Sequence, residues 1–265
     1  MTRQIESFLS PGYPWRDRFI WFPTIDSTND RLKALARQGA PHGTVLIAGH
    51  QTGGHGRMGR SFHSPEGLGV YLSILLRPDC GPGELMHLTC AAAVAMYDAV
   101  ETASSLRPGI KWTNDLVHGH KKLGGILTEL GLSPAGKVDY AIIGIGINCL
   151  QKMEDFGPEL QDMAASLSMV CGSPVVPARL AAAMMEALWQ MDSALLSQKD
   201  ALLRCYCRDC ITIGQDISLV RGDEIRYGHA LDVDENGALV VRFSSGEIQA
   251  VNSGEVSVRG MYGYV

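Results

Sequence analysis

A ten-residue segment from Gln51 to Arg60, QTGGHGRMGR, combines four glycines with two arginines. Glycine lets a backbone approach a ligand closely, and guanidinium groups pair with phosphate or carboxylate oxygens through parallel hydrogen bonds. These residue types at this spacing predict a loop that closes over an anionic, phosphoryl-containing ligand. The alternative is a solvated hairpin loop whose arginines contact no ligand, and the segment alone leaves both interpretations open.

Three of the glycines, Gly54, Gly56 and Gly59, also match the G-x-G-x-x-G spacing of dinucleotide-binding loops. That motif works because a helix begins directly after the glycine turn and holds a pyrophosphate at its N-terminus. Here the glycines follow a strand-like run, TVLIA, but Pro65 and further glycines interrupt the chain before the next strand. We therefore reject NAD binding, and the lack of a terminal G-K-[ST] excludes a Walker loop.

The elements that must position this loop are predicted from the spacing of apolar residues. DSTND offers Ser27 or Thr28 as a helix N-cap, and strong helix formers continue to Gly39. Helical spacing predicts two further long helices, over about residues 85–99 and 177–191. The apolar runs VYLSILL, IKWTNDLV, KLGGILTEL and DYAIIGIGINC each predict one strand.

After about Cys210 the pattern changes to about five short strands separated by turn signals, which is typical of a small SH3-like β-barrel. We therefore predict an α+β fold with two domains. The larger covers residues 1–208 and has a mixed or antiparallel sheet flanked by helices. The smaller covers residues 209–265 and is the SH3-like barrel.

Composition excludes several classes of protein. The net charge of −5 and pI near 5.9 argue against a nucleic-acid-binding protein, which needs clustered basic charge. No apolar run predicts a membrane span or a signal peptide, so we expect a cytoplasmic protein with no DNA and no membrane partner. The CYCRDC segment (Cys205, Cys207, Cys210) has thiols at zinc-ligand spacing but no fourth ligand at a typical distance, so we predict packed thiols.

Five motifs carry a resemblance to a known family. DSTND, QTGGHGRMGRSFHSPEGLGVYLS, KWTNDL, KKLGGILTEL and GIGINC follow one another in the order and spacing of the biotin–protein ligase family. Only about 20 residues precede the first motif, too few for a three-helix DNA-reading module, so the chain resembles the monofunctional type without an N-terminal DNA-binding domain.

This resemblance implies a two-step reaction. Biotin is activated with ATP, together with Mg²⁺, to biotinyl-5'-AMP, and biotin is then transferred to a specific lysine of a biotin carboxyl carrier protein. The carrier would belong to acetyl-CoA carboxylase or a related carboxylase. In this interpretation residues 1–208 form the biotin- and ATP-binding catalytic domain.

The resemblance also implies roles for individual residues, carried over from the matching motif positions. It implies that biotin is bound by Ser27, Thr28, Gln51, Gly54, Gly56, Arg57, Lys122 and Gly125. It implies that ATP and the adenylate are bound by Arg57, Arg60, Asn114, Asp115 and Asn148. Lys122 and Arg57 are the implied catalytic residues, because the family lysine lies between the reacting carboxylate and the α-phosphate. Metal ligands are left unassigned.

Some of these residues could instead have purely structural roles. Ser27 and Thr28 could only cap a helix, and Asn148 could be a buried strand-end amide satisfied by backbone. Trp112 is predicted to pack in the core rather than to bind ligand.

The chain departs from the family loop pattern G-R-G-R-x-G-R at two positions. His55 replaces the first arginine and Met58 stands where another arginine is common, so weaker retention of the adenylate is expected. Phe62 replaces a tryptophan, and Thr113 replaces a proline. Two other functions are kept. One is a lipoate- or octanoyl-handling acyltransferase of the same superfamily, which shares the catalytic fold; the other, because of His55 and Met58, is a catalytically weak biotin-binding protein. The oligomeric state is left open, with a homodimer as one option.

Overall fold

A computed structural model of the chain describes residues 1–252 and 257–260. Within them, a seven-stranded sheet has the strand order β1-β2-β3-β7-β6-β5-β4. Its strands are β1 (Phe19–Phe22), β2 (Thr44–Ala48), β3 (Gly69–Leu76), β4 (Gly109–Lys111), β5 (Asp115–His118), β6 (Lys121–Leu132) and β7 (Val138–Asn148). The β1–β2 pair is parallel and the other pairs are antiparallel, which confirms the predicted mixed sheet.

Helices cover both faces of this sheet. They are α1 (Thr2–Glu6), α2 (Thr28–Arg37), α3 (Leu88–Ser104), α4 (Leu167–Cys171), α5 (Pro177–Ala194) and α6 (Lys199–Asp209). Helix α2 packs on one face, against β2, β3 and β7, whereas α3 and α5 pack together on the other face. Every helix in the described part of the chain is too short or too polar to cross a membrane.

Strand β3 shows how the sequence divides its side chains between these two faces. Alternate residues of a strand point to opposite faces, so Leu72, Ile74 and Leu76 enter the large core beneath α3 and α5. Leu75 instead joins the smaller cluster under α2. Ser73 lies on the same face of the sheet as Leu75 and is fully buried. This polar side chain of β3 therefore contacts the N-terminus of α2.

The run IKWTNDLV, predicted as one strand, is a hairpin of two short strands, β4 and β5. Lys111 pairs with Asp115, and residues 112–114 form the turn between them. Strand β5 also pairs antiparallel with β6, which sets Asp115 opposite Gly125. The prediction failed because apolar content cannot separate one strand from two when the turn contains a tryptophan. The turn brings Asn114 to the end of the sheet where the pocket lies.

The C-terminal part forms a second, five-stranded antiparallel sheet in the order β11-β10-β9-β8-β12. Its strands are β8 (Asp216–Arg221), β9 (Glu224–Val233), β10 (Leu239–Phe243), β11 (Ile248–Val251) and β12 (Ser257–Gly260). Within residues 209–252 and 257–260 its two edge strands are not paired with each other, so no closed barrel is found there. The predicted domain runs to residue 265, and residues 253–256 and 261–265 of it lie outside the described part. The boundary between 208 and 209 stays a prediction.

The three clustered cysteines lie where the two sheets meet. Cys205 and Cys207 are half-buried in α6, and Cys210 is buried just after it. Burial, with a smaller contribution from Asp232, raises the pKa of Cys207 to about 11, so this thiol is protonated at neutral pH. In the described ranges no three metal-ligating side chains come together.

Candidate functional site

A cavity of about 150 Å³ opens where α2 begins and where the 51–62 segment faces β6 and β7. Ten of the residues predicted to bind ligand line it: Ser27, Thr28, Gln51, Gly56, Arg57, Arg60, Asn114, Asp115, Lys122 and Gly125. These residues come from segments far apart in sequence, so the fold assembles one site from the separate motifs. Two other predicted residues, Gly54 and Asn148, are not part of this lining.

The N-terminus of α2 forms the polar end of the cavity. Ser27 is the N-cap residue, and its Oγ accepts a long hydrogen bond of 3.4 Å from the Asp30 amide. Thr28 donates its backbone N–H to Gln51 Oε1 at 2.9 Å, and its hydroxyl oxygen lies 3.0 Å from the same Gln51 atom. The Gln51 amide nitrogen in turn donates to Ser64 Oγ at 3.2 Å. Ser27 therefore both caps the helix and faces the cavity.

Glycines shape the floor of the cavity. A Cβ on Gly144 would overlap the Asn29 side chain, and one on Gly146 would overlap the Phe62 ring. A Cβ on Gly125 would lie only 3.1 Å from Lys122 Nζ. The missing Cβ atoms therefore let the Asn29 side chain, the Phe62 ring and the Lys122 side chain lie directly against the strand backbone of the floor.

Cationic groups line the opposite end. Lys122 Nζ donates to Asp115 Oδ1 at 2.6 Å, and the two side chains are 27% and 13% exposed. Arg57 Nη1 donates to Asn114 Oδ1 at 2.9 Å, while Asn114 is held by donating to the Ile126 carbonyl at 2.8 Å. Burial lowers the pKa of Arg57, although Asp115 opposes the shift. A half-buried cation gains from an incoming anion because its surroundings have already removed part of its hydration.

The 53–62 loop that carries Arg57 is itself a small hairpin. The Phe62 amide donates to the Gly54 carbonyl at 2.9 Å, and the Gly56 amide donates to the Arg60 carbonyl at 2.7 Å. Residues Arg57–Gly59 form one 3₁₀ turn with positive φ at Met58 and Gly59, and strand β3 follows, as predicted, in place of a helix. The helix N-terminus that would bind a pyrophosphate in a dinucleotide-binding motif is therefore not present after this loop.

The two loop departures also have defined positions. His55 Nδ1 contacts the Gly53 carbonyl at 2.9 Å, and its Nε2 lies 3.6 Å from Asp30 Oδ2. The Met58 side chain is 57% exposed. His55 therefore bridges the loop to the start of α2, and Met58 extends from the rim.

Three predicted residues contact protein groups. Gly54 is packed so that a Cβ would lie 2.8 Å from Ser64 Oγ, which makes it a loop-closing residue. Asn148 is buried, donates to the Ala165 carbonyl at 3.2 Å and accepts from Gln151 at 3.1 Å. Contacts of Gly54 and Asn148 with ligands stay predictions. Trp112 is buried, and its indole N–H donates to the Gly237 carbonyl at 3.0 Å.

Sequence reasoning missed several lining residues, among them Asn29, Ile126, Leu127, Gly144, Ile145 and Gly146. A signal was present for the glycines, because residues two apart in a strand share a face, so G-I-G predicts a bare patch. Asn29 had a weaker signal. It stands in the first turn of α2, directly after the capping candidates Ser27 and Thr28.

Comparison with known proteins adds an independent result. Residues 21–148 match the family model described as Biotin/lipoate A/B protein ligase family, and residues 212–259 match that described as Biotin protein ligase C terminal domain. The chain is 34% identical to a bifunctional ligase/repressor BirA from Bacillus spizizenii, covering 90% of this chain and 73% of that protein. It is 30% identical to a biotin–[acetyl-CoA-carboxylase] ligase from Paracoccus denitrificans, covering 89% and 98%.

Solved structures are similar as well. A biotin protein ligase from Aquifex aeolicus, in complex with biotin and ATP, superposes with a TM-score of 0.77 at 28% identity. The match covers 92% of this chain and 99% of that one. The likeness therefore extends over both sheets.

Proposed function

The chain belongs to the biotin/lipoate A/B protein ligase family, and from this premise we propose that it is an ATP-dependent biotin protein ligase. It activates biotin with ATP and transfers the biotinyl group to a carrier protein. One observation carries the proposal. Thr28 and Gln51, which offer neutral hydrogen-bonding groups, share a cavity with Lys122 and Arg57. A ligand with a polar ring at one end and a carboxylate at the other fits that polarity.

In the first step an oxygen of the biotin carboxylate attacks the α-phosphorus of ATP, and pyrophosphate leaves. Two anions must approach each other, so cations beside them lower the barrier by offsetting their repulsion. We assign this role to Lys122 and Arg57, with Arg60 on the nucleotide phosphates. Asn114, by holding the Arg57 guanidinium, orients it toward the cavity.

In the second step a lysine amine of the carrier attacks the carbonyl carbon of the mixed anhydride, an amide bond forms, and AMP leaves. The amine must lose a proton, and Asp115 is the one carboxylate among the described lining residues. We assign proton acceptance to Asp115, which can act once an incoming amine competes with Lys122 for its oxygen.

The same carboxylate bears on Mg²⁺. This ion prefers oxygen ligands and usually keeps waters while binding one or two carboxylates plus substrate phosphates. Asp115 and the amide oxygen of Asn114 fit that pattern, with the ATP phosphates as the main ligands. The ion would neutralise phosphate charge during adenylation. Lys122 would remain in place beside it, because its backbone belongs to strand β6.

Finer aspects of the function are also proposals. We assign residues 209–265 to an SH3-like domain, supported by its five antiparallel strands and its match to the C-terminal domain of biotin protein ligases. The acceptor is the biotin carboxyl carrier protein of acetyl-CoA carboxylase or a related carboxylase, in the cytoplasm. A homodimer is consistent with exposed Leu130 and Leu132, which lie on β6 beyond its pairing with β5.

Biotin-dependent exchange of pyrophosphate into ATP tests the proposal. Exchange with biotin, followed by label transfer to the lysine of a carrier domain but not to its Lys→Arg variant, is expected. Exchange with lipoate alone would instead support a lipoate-handling enzyme. Biotin binding without exchange would support the weak binding protein that the His55 and Met58 positions leave open.

A further inference from the structure

Behind Thr28 a chain of polar side chains runs from the cavity into the protein. Thr28, Asn29 and Ser73 are each no more than 5% exposed. The Ser73 oxygen lies 2.7 Å from Thr28 Oγ1 and 2.6 Å from Asn29 Oδ1. Ser73 does not line the cavity, so it can affect a ligand only through these two neighbours.

The side-chain amide of Asn29 has one allowed orientation. Its nitrogen donates to Glu129 Oε2 at 2.8 Å, and Lys33 Nζ donates to the other oxygen of Glu129 at 2.8 Å. A reversed amide would set its oxygen against the carboxylate. Asn29 Oδ1 therefore points at Ser73, and because a carbonyl oxygen can only accept, the Ser73 hydrogen goes to Asn29.

The amide of Gln51 is fixed in the same way from the other side. Its Oε1 accepts the Thr28 backbone N–H at 2.9 Å, so a reversed amide would set two donors against each other. Gln51 Oε1 also lies 3.0 Å from Thr28 Oγ1 and can only accept there.

Within the described contacts, three oxygen–oxygen pairs thus share two hydroxyl hydrogens. Ser73 spends its hydrogen on Asn29, so the single hydrogen of Thr28 must serve either Ser73 or Gln51. The pair that receives no hydrogen is a close contact between two acceptor oxygens. Such a contact is unfavourable, because a buried hydrogen bond is left unmade. The free site is one donor short at the surface that Thr28 and Gln51 present to the cavity.

We propose that Ser73, held by Asn29 and Glu129, is a positioning residue that makes this site select a ligand carrying an N–H donor. When Thr28 turns its hydrogen toward Ser73, the oxygens of Thr28 and Gln51 are both left to accept from the ligand. The inference rests on the proposed function, because the ureido ring of biotin has two N–H groups whereas the dithiolane ring of lipoate has none. On this basis the site should disfavour the lipoate ring.

The test uses two cyclic carbamate analogues of biotin, each with one ureido N–H replaced by a ring oxygen. Pyrophosphate exchange is measured with biotin and with both analogues, in the wild-type protein, in Ser73→Ala and in Thr128→Val. The last variant is a matched control, since Thr128 also forms a hydroxyl pair, with Thr89 at 2.7 Å, away from the cavity lining.

The wild-type protein should prefer biotin over one of the two carbamates by about a hundredfold in kcat/KM, because that analogue supplies an acceptor where a donor is needed. In Ser73→Ala the Thr28 hydrogen settles on Gln51, so this preference should fall about tenfold. The KM for biotin should rise while the KM for ATP stays within about twofold. Thr128→Val should retain the wild-type preference.

Three results would overturn the inference. One is a wild-type protein that uses both carbamates as well as biotin; another is a Ser73→Ala protein with an unchanged preference. The third is an equal loss for ATP and biotin, which indicates a purely structural role. If Ser73→Ala does not fold, Glu129→Gln takes its place, because it frees the Asn29 amide to reverse and should shrink the same preference. A wild-type protein with no biotin-dependent exchange would instead overturn the proposed function, and the inference with it.

Discussion

The two walls of the cavity are built in different ways. The floor consists of the paired strands β6 and β7, and a buried polar chain lies behind it, in which Ser73 and Thr28 are at most 3% exposed. The facing wall is the 53–62 loop, a short hairpin with one 3₁₀ turn and an exposed Met58. The floor is ordered by the pairing of the sheet before any ligand arrives, whereas every residue of the loop is exposed or half-buried.

This difference separates two tasks. Recognition of a neutral polar ring needs fixed donors and acceptors, since an unpaired buried group discriminates only if it cannot move. Handling of phosphates needs cations that can close over the ligand and later release the product. The floor suits the first task and the loop the second. Lys122 is the exception. It is a cation that acts on the phosphate, but it lies on strand β6 of the ordered floor rather than on the loop.

The largest effect is expected from replacing Lys122. Lys122→Ala should lower the rate of biotin-dependent pyrophosphate exchange by roughly 10²–10³-fold, because the cation offsets charge developing at the phosphate. The melting temperature should change little. Lys121→Ala is the matched control, since Lys121 Nζ donates to the Gln161 carbonyl and lies outside the cavity lining. A Lys122→Ala protein with the exchange rate of the control would remove Lys122 from the mechanism.

A methyl group should be tolerated by the loop and not by the floor. Gly144→Ala places its Cβ into the Asn29 side chain, so overpacking of about 1–3 kcal/mol should raise the KM for biotin about tenfold to hundredfold. Gly53→Ala is the loop counterpart, where a Cβ would meet the Asp26 carbonyl at an ordinary 3.4 Å. Equal biotin KM values in the two variants would show that the floor is as adaptable as the loop.

Hydrogen exchange should reveal the same contrast without mutation. Amides of β3 and β7 are paired along the sheet and should exchange slowly in the free protein. Amides of residues 53–62 should exchange quickly and gain about tenfold protection with biotin and ATP, since closure over the adenylate gives them fixed partners. Loop amides protected equally with and without ligands would indicate a preformed wall.

The sequence predicted the two walls unequally. The loop was predictable because its function lies in its composition, with glycines for close approach and arginines for charge. Three of its seven lining residues, Gly56, Arg57 and Arg60, were predicted to bind ligand. The floor was predictable as strands but not as a recognition surface. Ser73 in VYLSILL and Glu129 in ILTEL are ordinary residues until the register of β3, β7 and β6 brings both to Asn29. Pairing register is a tertiary property, so single-strand patterns could not supply it.

The smallest expected effect concerns the loop departures. His55 lies 3.6 Å from Asp30 and is part of the cavity rim, so His55→Arg adds a permanent charge that is shared between Asp30 and the ligand phosphates. Because charge pairs at exposed positions are worth little, the adenylate should dissociate only about threefold more slowly. Met58→Arg should behave similarly, and Gln38→Arg, which adds the same charge at the exposed C-terminal end of α2, should have no effect.

The measurement is the rate at which preformed biotinyl-5'-AMP leaves each protein when it is chased with unlabelled biotin and ATP, at two salt concentrations. The gain from His55→Arg should shrink at high salt, because screening weakens exposed charge pairs, whereas the preference for an N–H donor on the floor should not. A gain of a hundredfold from either arginine would contradict the division between the walls. It would mean that the loop is as well ordered around the phosphates as the sheet is around Thr28. The missing arginines, rather than the mobility of the loop, would then limit retention of the intermediate.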